Sequence, residues 1–244
     1  MQDEITLAIA EALHDTLKVA DTSSPIPTQN MAAYRAYLRM RQHRDPAQLS
    51  VELKASAGQV EGENRHVALS WANIVGRDFV AAREQVEALP DPGPDDSHGT
   101  SGLPFKLVSR MLTDWLLQDE TSLEQSVAGA QKHLERLGEP ASSADLSFAL
   151  VAVASGDQAE SIRRLEHWQR VVAAEDIAAR LMNSDILWVI YAIANAGEEA
   201  VQCIRDTMKG PSRVMPFMEI HLPLYDSMRD TPSFQQLVAE VEST

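Results

Sequence analysis

The residue types that perform chemistry in enzymes are present in this chain of 244 residues, but they are scattered. His133 with Glu135, and Glu166 with His167, are pairs that lie close in sequence, and polar neighbours of this kind are common on helix surfaces. The sequence contains no nucleophile elbow, no zinc-binding His-Glu-x-x-His motif and no paired metal carboxylates at helical spacing. We therefore predict no catalytic residue, no metal ligand and no cofactor, and we interpret both pairs as solvated helix surface.

A glycine loop and a cysteine have similarly plain interpretations. Residues 99–102 (Gly-Thr-Ser-Gly) are followed by Leu103 and Pro104, whereas a phosphate-binding loop leads into a helix that begins with Lys. Cys203 is the only cysteine, which excludes an internal disulfide or a cysteine-based metal cluster. Its place between Val201 and Ile204 predicts a buried structural thiol.

Basic side chains are concentrated in one stretch of an otherwise acidic sequence. The stretch contains Arg35, Arg39, Arg41, His43 and Arg44, with Tyr34 and Tyr37 among them. Guanidinium groups beside aromatic rings suit recognition of carboxylates, so Tyr34, Arg35, Tyr37, Arg39 and Arg41 are candidate partner-binding residues. In the alternative interpretation, Arg35 and Arg39 form a solvated helix face while the tyrosines pack inward. The sequence leaves both interpretations open.

Charge and hydropathy exclude several classes of partner. The 36 acidic residues outnumber the 21 basic ones, giving a net charge of −15, which opposes direct binding to nucleic acid or to anionic lipid surfaces. No apolar run approaches the roughly 18 residues of a membrane-spanning helix, and the acidic start is unlike a signal peptide. We expect a soluble segment, with the cytoplasm favoured and the periplasm possible if a longer parent protein has an upstream membrane helix.

Composition and spacing predict an all-α fold. Aromatic residues make up 5% of the chain, so a core of Ala, Leu, Val and Ile is expected, which suits close helix packing. Tight turns are predicted at Gly76, Asp119, Gly156 and Gly197, which are 43, 37 and 41 residues apart. This period is typical of stacked helix pairs in repeat proteins.

The predicted organisation has three parts. Residues 1–20 form an amphipathic helix left from an upstream domain, 21–30 are a Pro-containing linker, and 31–244 form the helical repeat domain. Residues 89–104 are predicted to be a flexible surface loop, because helix breakers are dense there. The predicted helices of the repeat domain are 30–44, one restarting at 46, 65–75, 77–88, 105–118, 122–137, 144–154, 158–172, 175–182, 185–195, 198–209, 212–221 and 232–241.

Several side chains are given structural roles within these helices. Thr121 and Glu124 fit a capping box, a reciprocal pair that begins a helix. The tryptophans, which are expected to fill the space between paired helices, are Trp71, Trp115, Trp168 and Trp188. A corner before the last helix is predicted at His221, Pro223 and Tyr225.

Three segments carry a resemblance to a known family. They are Gln-Asp-Glu-Ile at 2–5, Ala-Tyr-Arg-Ala-Tyr-Leu-Arg-Met-Arg at 33–41 and Leu-Tyr-Asp-Ser-Met-Arg-Asp-Thr-Pro-Ser-Phe at 224–234. Together they resemble the C-terminal tetratricopeptide-repeat regions of bacterial multidomain signalling proteins, whose upstream parts are often an adenylate cyclase or a winged-helix domain. The resemblance implies an α-α superhelix of helix pairs that regulates through protein contacts. Met40 replaces the family's usual Gly, and the central repeats lack the full signature, so we expect an irregular superhelix.

The sequence thus favours a non-enzymatic module that binds a protein or peptide and regulates an attached or separate signalling domain. A homo-oligomer is compatible with this role. An alternative is a sensor of a small molecule or an anionic ligand, with Arg35, Arg39 or Arg41 supplying the positive charge. A helical enzyme assembled from dispersed His, Asp and Glu side chains is the third hypothesis.

Overall fold

The computed structural model describes residues 45–58, 61–93, 103–136, 145–175, 184–208 and 216–243, all of which lie within one compact unit. These residues form helices and no strand, which confirms the predicted all-α class. In chain order the elements are α1 (Pro46–Ala57), α2 (Glu63–Val75), α3 (Phe79–Glu87), α4 (Phe105–Leu117), α5 (Glu120–Arg136), α6 (Asp145–Ala154), α7 (Gln158–Glu175), α8 (Ser184–Ile193), α9 (Gly197–Thr207), α10 (Pro216–Glu219), a 3-10 helix (Pro223–Met228) and α11 (Pro232–Ser243).

Four helical hairpins share one turn geometry. The turns join α2 to α3, α4 to α5, α6 to α7 and α8 to α9, and each has one residue with positive φ: Arg77 (60°), Gln118 (55°), Gly156 (87°) and Asn195 (57°). In every case this residue's N–H donates to the carbonyl three positions back, and the next N–H donates to the carbonyl five positions back. This arrangement is the Schellman motif, which satisfies the last carbonyl groups of a helix.

The turns lie where the sequence predicted them, but two glycines have different roles. Gly76 has negative φ, and its small size is needed because a Cβ there would lie 2.5 Å from Ser50 Oγ of α1. Gly197 is already the first residue of α9, and the left-handed conformation falls on Asn195, whose short polar side chain tolerates it.

An aspartate after the left-handed residue caps the next helix in three of the four turns. Asp78, Asp119 and Asp157 each accept a hydrogen bond from the N–H three residues later, at 3.0–3.1 Å. The capping box predicted at Thr121 and Glu124 is therefore wrong: α5 begins at Glu120, and Asp119 is its cap. The shared pattern is a left-handed residue followed by a capping carboxylate.

The fourth turn, which joins α8 to α9, has alanine at the capping position, so we expect that an aspartate there would stabilise the fold. Ala196 provides no side-chain hydrogen bond to α9. Replacing Ala196 with aspartate is expected to raise the free energy of unfolding by about 1 kcal/mol, because the carboxylate satisfies a free N–H in the first turn. Urea denaturation followed by circular dichroism measures the change. Asp157→Ala at the equivalent position should lower stability by a similar amount, and an unchanged midpoint for Ala196→Asp would contradict the shared-cap interpretation.

The helices of each hairpin differ in burial. Among the described side chains, the first helices α4, α6 and α8 have no fully exposed residue, whereas the second helices α3, α5, α7 and α9 each expose one face. Each helix of α1–α7 packs against the next in sequence, and α8 packs on α6, α7 and α9. The hairpins themselves are thus observed, and the superhelical repeat arrangement stays a prediction.

The tryptophan prediction is confirmed most clearly at one position. Trp168 of α7 has 0% of its surface exposed and belongs to the core. Trp71 and Trp115 are only partly buried. The side chain of Trp188 lies outside the described part.

The predicted surface loop has buried ends. Leu89 and Leu103 are 6% and 2% exposed, because apolar side chains flank the helix breakers on both sides. The buried amine of Lys106 donates to the Leu89 carbonyl at 2.6 Å and to the Asp91 carboxylate at 2.8 Å, which fixes the start of the segment. Residues 94–102 lie outside the described part.

The C-terminal segment folds back on the hairpins. The 3-10 helix contacts α8, and α11 packs on α9, with an ion pair of 2.8 Å between Arg205 Nε and Glu240 Oε2. Tyr225 is fully buried and its ring lies 5.4 Å from that of Phe234, which confirms the predicted corner. Of the helix predicted at 212–221, residues 216–219 form α10 and a turn follows at Ile220 and His221. Residues 212–215 lie outside the described part, and so do residues 176–182. In the part that the structure describes, no helix is long and apolar enough to span a membrane.

Candidate functional site

The sequence-predicted partner site lies outside the described residues. Tyr34, Arg35, Tyr37, Arg39 and Arg41 all precede Asp45, where the description begins. The glycine loop at 99–102 is also outside it. These predictions therefore stay predictions, and the site considered below comes from other residues.

A cleft opens where the first described helices meet the C-terminal segment. Its volume is about 330 Å³. The described residues that line it are Pro46, Arg77, Ile220, His221, Arg229, Phe234, Gln235, Val238 and Glu242. Ligand pockets in proteins occupy roughly 300–1,000 Å³ and combine apolar walls with a few polar groups, so this cleft matches the small end of that class.

Two arginines and one aspartate form the polar corner of the cleft. Arg77 Nη2 donates to Asp226 Oδ1 at 2.7 Å, although these residues are 149 positions apart in the sequence. Arg229 Nε donates to the same oxygen at 2.6 Å. A single carboxylate oxygen is thus shared by two guanidinium groups. Glu242 also lines the cleft, so two carboxylates stand beside the two arginines.

The two arginines differ in how firmly they are held. Arg229 also donates to the carbonyl oxygens of Ile220 and Leu222, at 2.9 and 3.0 Å, and its guanidinium lies 5.8 Å from the centroid of the Phe234 ring. It therefore acts as a structural tie within the C-terminal segment. Arg77 makes one side-chain hydrogen bond within the described residues, and its side chain is 37% exposed. Its remaining N–H donors are available to a ligand.

The apolar wall of the cleft comes mainly from α11. Phe234 and Val238 are one helical turn apart and therefore lie on the same side of α11. Ile220 and Pro46 complete the apolar lining from α10's end and the start of α1. An occupant with one apolar group and one anionic group would match both parts of the lining.

A second polar cluster joins α6 to α7. His167 Nδ1 lies 2.6 Å from Asp145 Oδ2, and Arg164 Nη1 lies 3.2 Å from Asp145 Oδ1. Arg164 also stacks on the Phe148 ring at 4.7 Å. The prediction that His167 lies on a solvated surface is therefore incomplete, because the nearly buried Asp145 carboxylate orients its ring. A carboxylate–imidazole pair can transfer a proton. Here Asp145 also pairs with Arg164, so we interpret the cluster as an ion-pair network that stabilises the packing of α6 against α7.

Glu160 extends this cluster, and its lowered pKa leads us to expect that the stability of the fold depends on pH. Its pKa is lowered from 4.5 to about 2, chiefly by the hydrogen bond from Arg163, with Arg164 contributing. A carboxylate with a lowered folded-state pKa stabilises the fold above its unfolded pKa, and this contribution is lost as pH falls toward the folded value. The stability difference between the native chain and Glu160→Gln should therefore be constant near neutral pH and shrink between about pH 4.5 and pH 2.

Unfolding in urea across this pH range tests the prediction. In an Arg163→Ala background the difference caused by Glu160→Gln should be smaller at neutral pH, since the main cause of the lowered pKa is gone. A difference that does not depend on pH would contradict the assigned ion pair.

The remaining candidates from the sequence are structural in the described part. Cys203 is only partly exposed, and its burial, together with the nearby Asp206 and Glu199, raises the pKa of the thiol to about 12, so the reactive thiolate is disfavoured. His133 is 5% exposed, so its predicted place on a solvated surface is wrong: α5 turns this residue toward the core. Among the described residues, no three His, Cys, Asp or Glu side chains are grouped to hold a metal ion.

Sequence reasoning missed the cleft because its walls are far apart along the chain. The one local signal was Asp226 with Arg229, a carboxylate and a guanidinium three positions apart. Nothing in the sequence linked either residue to Arg77. The chain matches no protein-family model, and it has no significant match among curated proteins or solved structures.

Proposed function

We propose that this chain is a non-enzymatic helical module that binds a protein or peptide and regulates an attached or separate signalling domain. The observation that supports this most is the cleft between the α2–α3 turn and the C-terminal segment. Its size suits one or two anchoring side chains of a peptide, and anchors in small pockets carry most of the binding energy in many interfaces. The chemistry of the ligand is inferred from the residues that line the cleft, because the helical fold alone does not indicate it.

The charge of the chain supports a protein partner over nucleic acid. Residues 1–44 contain five acidic and five basic residues, so the whole net charge of −15 belongs to the remainder. A phosphate backbone would be repelled by that surface. Arg77 and Arg229 place guanidinium groups in the cleft beside Asp226 and Glu242. The free N–H donors of Arg77 suit a small anionic group on an otherwise apolar or neutral ligand.

Selection from a random peptide library tests the proposal. The immobilised full chain is the bait, and the selected peptides are then measured against Val238→Trp, in which the larger side chain fills the cleft. Val171→Trp is the matched control, because Val171 is 39% exposed on α7 and does not line the cleft. We expect binding to fall at least about tenfold with Val238→Trp and to be unchanged with Val171→Trp. Failure to select any peptide, or equal loss with both variants, would contradict the proposal.

A small-molecule sensor is the second candidate, and the modest cleft volume favours it. A ligand of this kind would raise the melting temperature of the chain through mass action. Thermal melts against a set of small organic acids test it, with Val238→Trp removing any shift that arises from the cleft. A set of acids that leaves the native melting temperature unchanged would exclude this candidate.

A further inference from the structure

We propose that the cleft recognises an Asp or Glu side chain next to an apolar side chain in the bound peptide, and that Arg77 binds this carboxylate. This inference rests on the proposed peptide-binding function. It names the chemistry of the ligand and the residue that selects it. The supporting observations are the hydrogen bonds of Arg77, its backbone conformation and the charges beside it.

The first observation is the set of N–H donors that Arg77 keeps free at the corner of the cleft. Asp226 Oδ1 accepts from both arginines at 2.6–2.7 Å, so two positive charges share one negative oxygen. Arg229 also donates to two backbone carbonyl groups. Apart from the hydrogen bond to Asp226, the side-chain N–H donors of Arg77 have no acceptor among the described residues. Guanidinium groups bind carboxylates through two parallel N–H donors, and Arg77 retains enough donors for this geometry.

The second observation is the backbone at Arg77. Its φ of 60° places it in the left-handed region, which is unfavourable for residues other than glycine. The equivalent residues Gly156 and Asn195 adopt this conformation more easily, whereas Gln118 of the α4–α5 turn adopts it against its preference, as Arg77 does. Arg77 differs from Gln118 because its side chain lines the cleft, where it is available to a ligand.

The third observation selects a carboxylate over other anions. Asp226 and Glu242 stand beside the corner and would repel a doubly charged phosphate more strongly than a singly charged carboxylate. Terminal carboxylates are typically captured by successive backbone N–H groups. The polar groups described in this cleft belong to side chains, among them those of Arg77, His221 and Gln235, which favours a side-chain carboxylate. The half-buried Val238 of α11 then provides surface for an apolar neighbour.

A double-mutant cycle with defined peptides tests the inference. The probe is acetyl-Ala-Phe-Glu-Ala-amide, and its Phe-Gln analogue has the same shape without the charge. Binding to the full chain is followed by amide chemical shifts up to millimolar peptide. We expect the Glu peptide to bind the native chain about tenfold more tightly than the Gln peptide, and the two to bind equally to Arg77→Ala.

Two further variants separate a ligand contact from a structural effect. Arg77→Lys retains the charge but lacks the planar fork, so a reduced preference for Glu is expected. Arg163→Ala removes another exposed ion-paired arginine outside the cleft and should leave the preference unchanged. Circular dichroism confirms that each variant is folded, which is expected because exposed ion pairs contribute little to stability.

The outcomes distinguish the two proposals. If Val238→Trp abolishes binding of library-selected peptides but the Glu and Gln probes bind alike, or neither probe binds, peptide binding stands and the carboxylate inference is wrong. If no peptide depends on Val238, both proposals fail. A preference for Glu that persists in Arg77→Ala would also overturn the assignment of Arg77.

Discussion

Replacing Asp114 with alanine is expected to lower the free energy of unfolding by about 3 kcal/mol. Asp114 has 0% of its surface exposed, and its Oδ2 accepts a hydrogen bond from Ser126 of α5. Its other oxygen, Oδ1, lies 3.3 Å from Arg83 Nε of α3. One buried carboxylate thus joins three consecutive helices. Its removal leaves the Ser126 hydroxyl without its acceptor and takes away the negative charge that faces Arg83, which keeps its hydrogen bonds to Asp119 and Ser122.

Urea denaturation followed by circular dichroism measures this loss, and two variants sharpen it. Asp114→Asn retains an acceptor for Ser126 but removes the charge that faces Arg83, so a smaller loss is expected. Glu87→Ala removes a carboxylate whose pair with Arg110 is exposed on both sides, at 42% and 36%, so little change is expected. If Asp114→Ala costs no more than Glu87→Ala, the buried ion pair is not a major contributor to stability.

Replacing Trp168 with alanine is expected to cost about 4 kcal/mol, because a fully buried indole leaves a cavity that the surrounding helices fill only in part. Trp168 Nε1 is buried without a hydrogen-bond partner in the described part of the chain. Trp168→Phe removes this unsatisfied donor while keeping most of the apolar volume. It should therefore cost much less, about 1–2 kcal/mol.

Trp115 provides the matched control. It is only partly buried in α4, so Trp115→Ala should cost clearly less than Trp168→Ala. The free energy of unfolding from urea titration gives all three values on one scale. Equal losses at both positions would show that the burial difference does not determine the energetic contribution of the two rings.

The helices and their turns were predictable because their causes are local. An aspartate before an apolar period, as at Asp45, Asp78 and Asp157, marks a helix start through a hydrogen bond that spans only two or three residues. Left-handed turn residues were harder to predict. Gly156 was found because glycine favours positive φ, whereas Arg77 and Gln118 adopt it against their preference under the hydrogen bonds of the hairpin.

The candidate site was beyond prediction for a different reason. A cleft depends on which distant segments meet, and residue spacing carries no information about a contact such as that of Arg77 with Asp226. The sequence directed attention to Tyr34 and the arginines near it instead. The same limit explains His133 and His167, whose environments are set by helices that periodicity alone does not place.

The pairing of Arg77 with Asp226 has a consequence for synthesis of the chain on the ribosome. The α2–α3 hairpin has only local contacts within it and can form while later residues are still being added. The cleft cannot, because its second wall emerges about 150 residues later. A nascent chain would therefore expose a helical hairpin long before it could form the cleft, which is complete only after α11 has been synthesised.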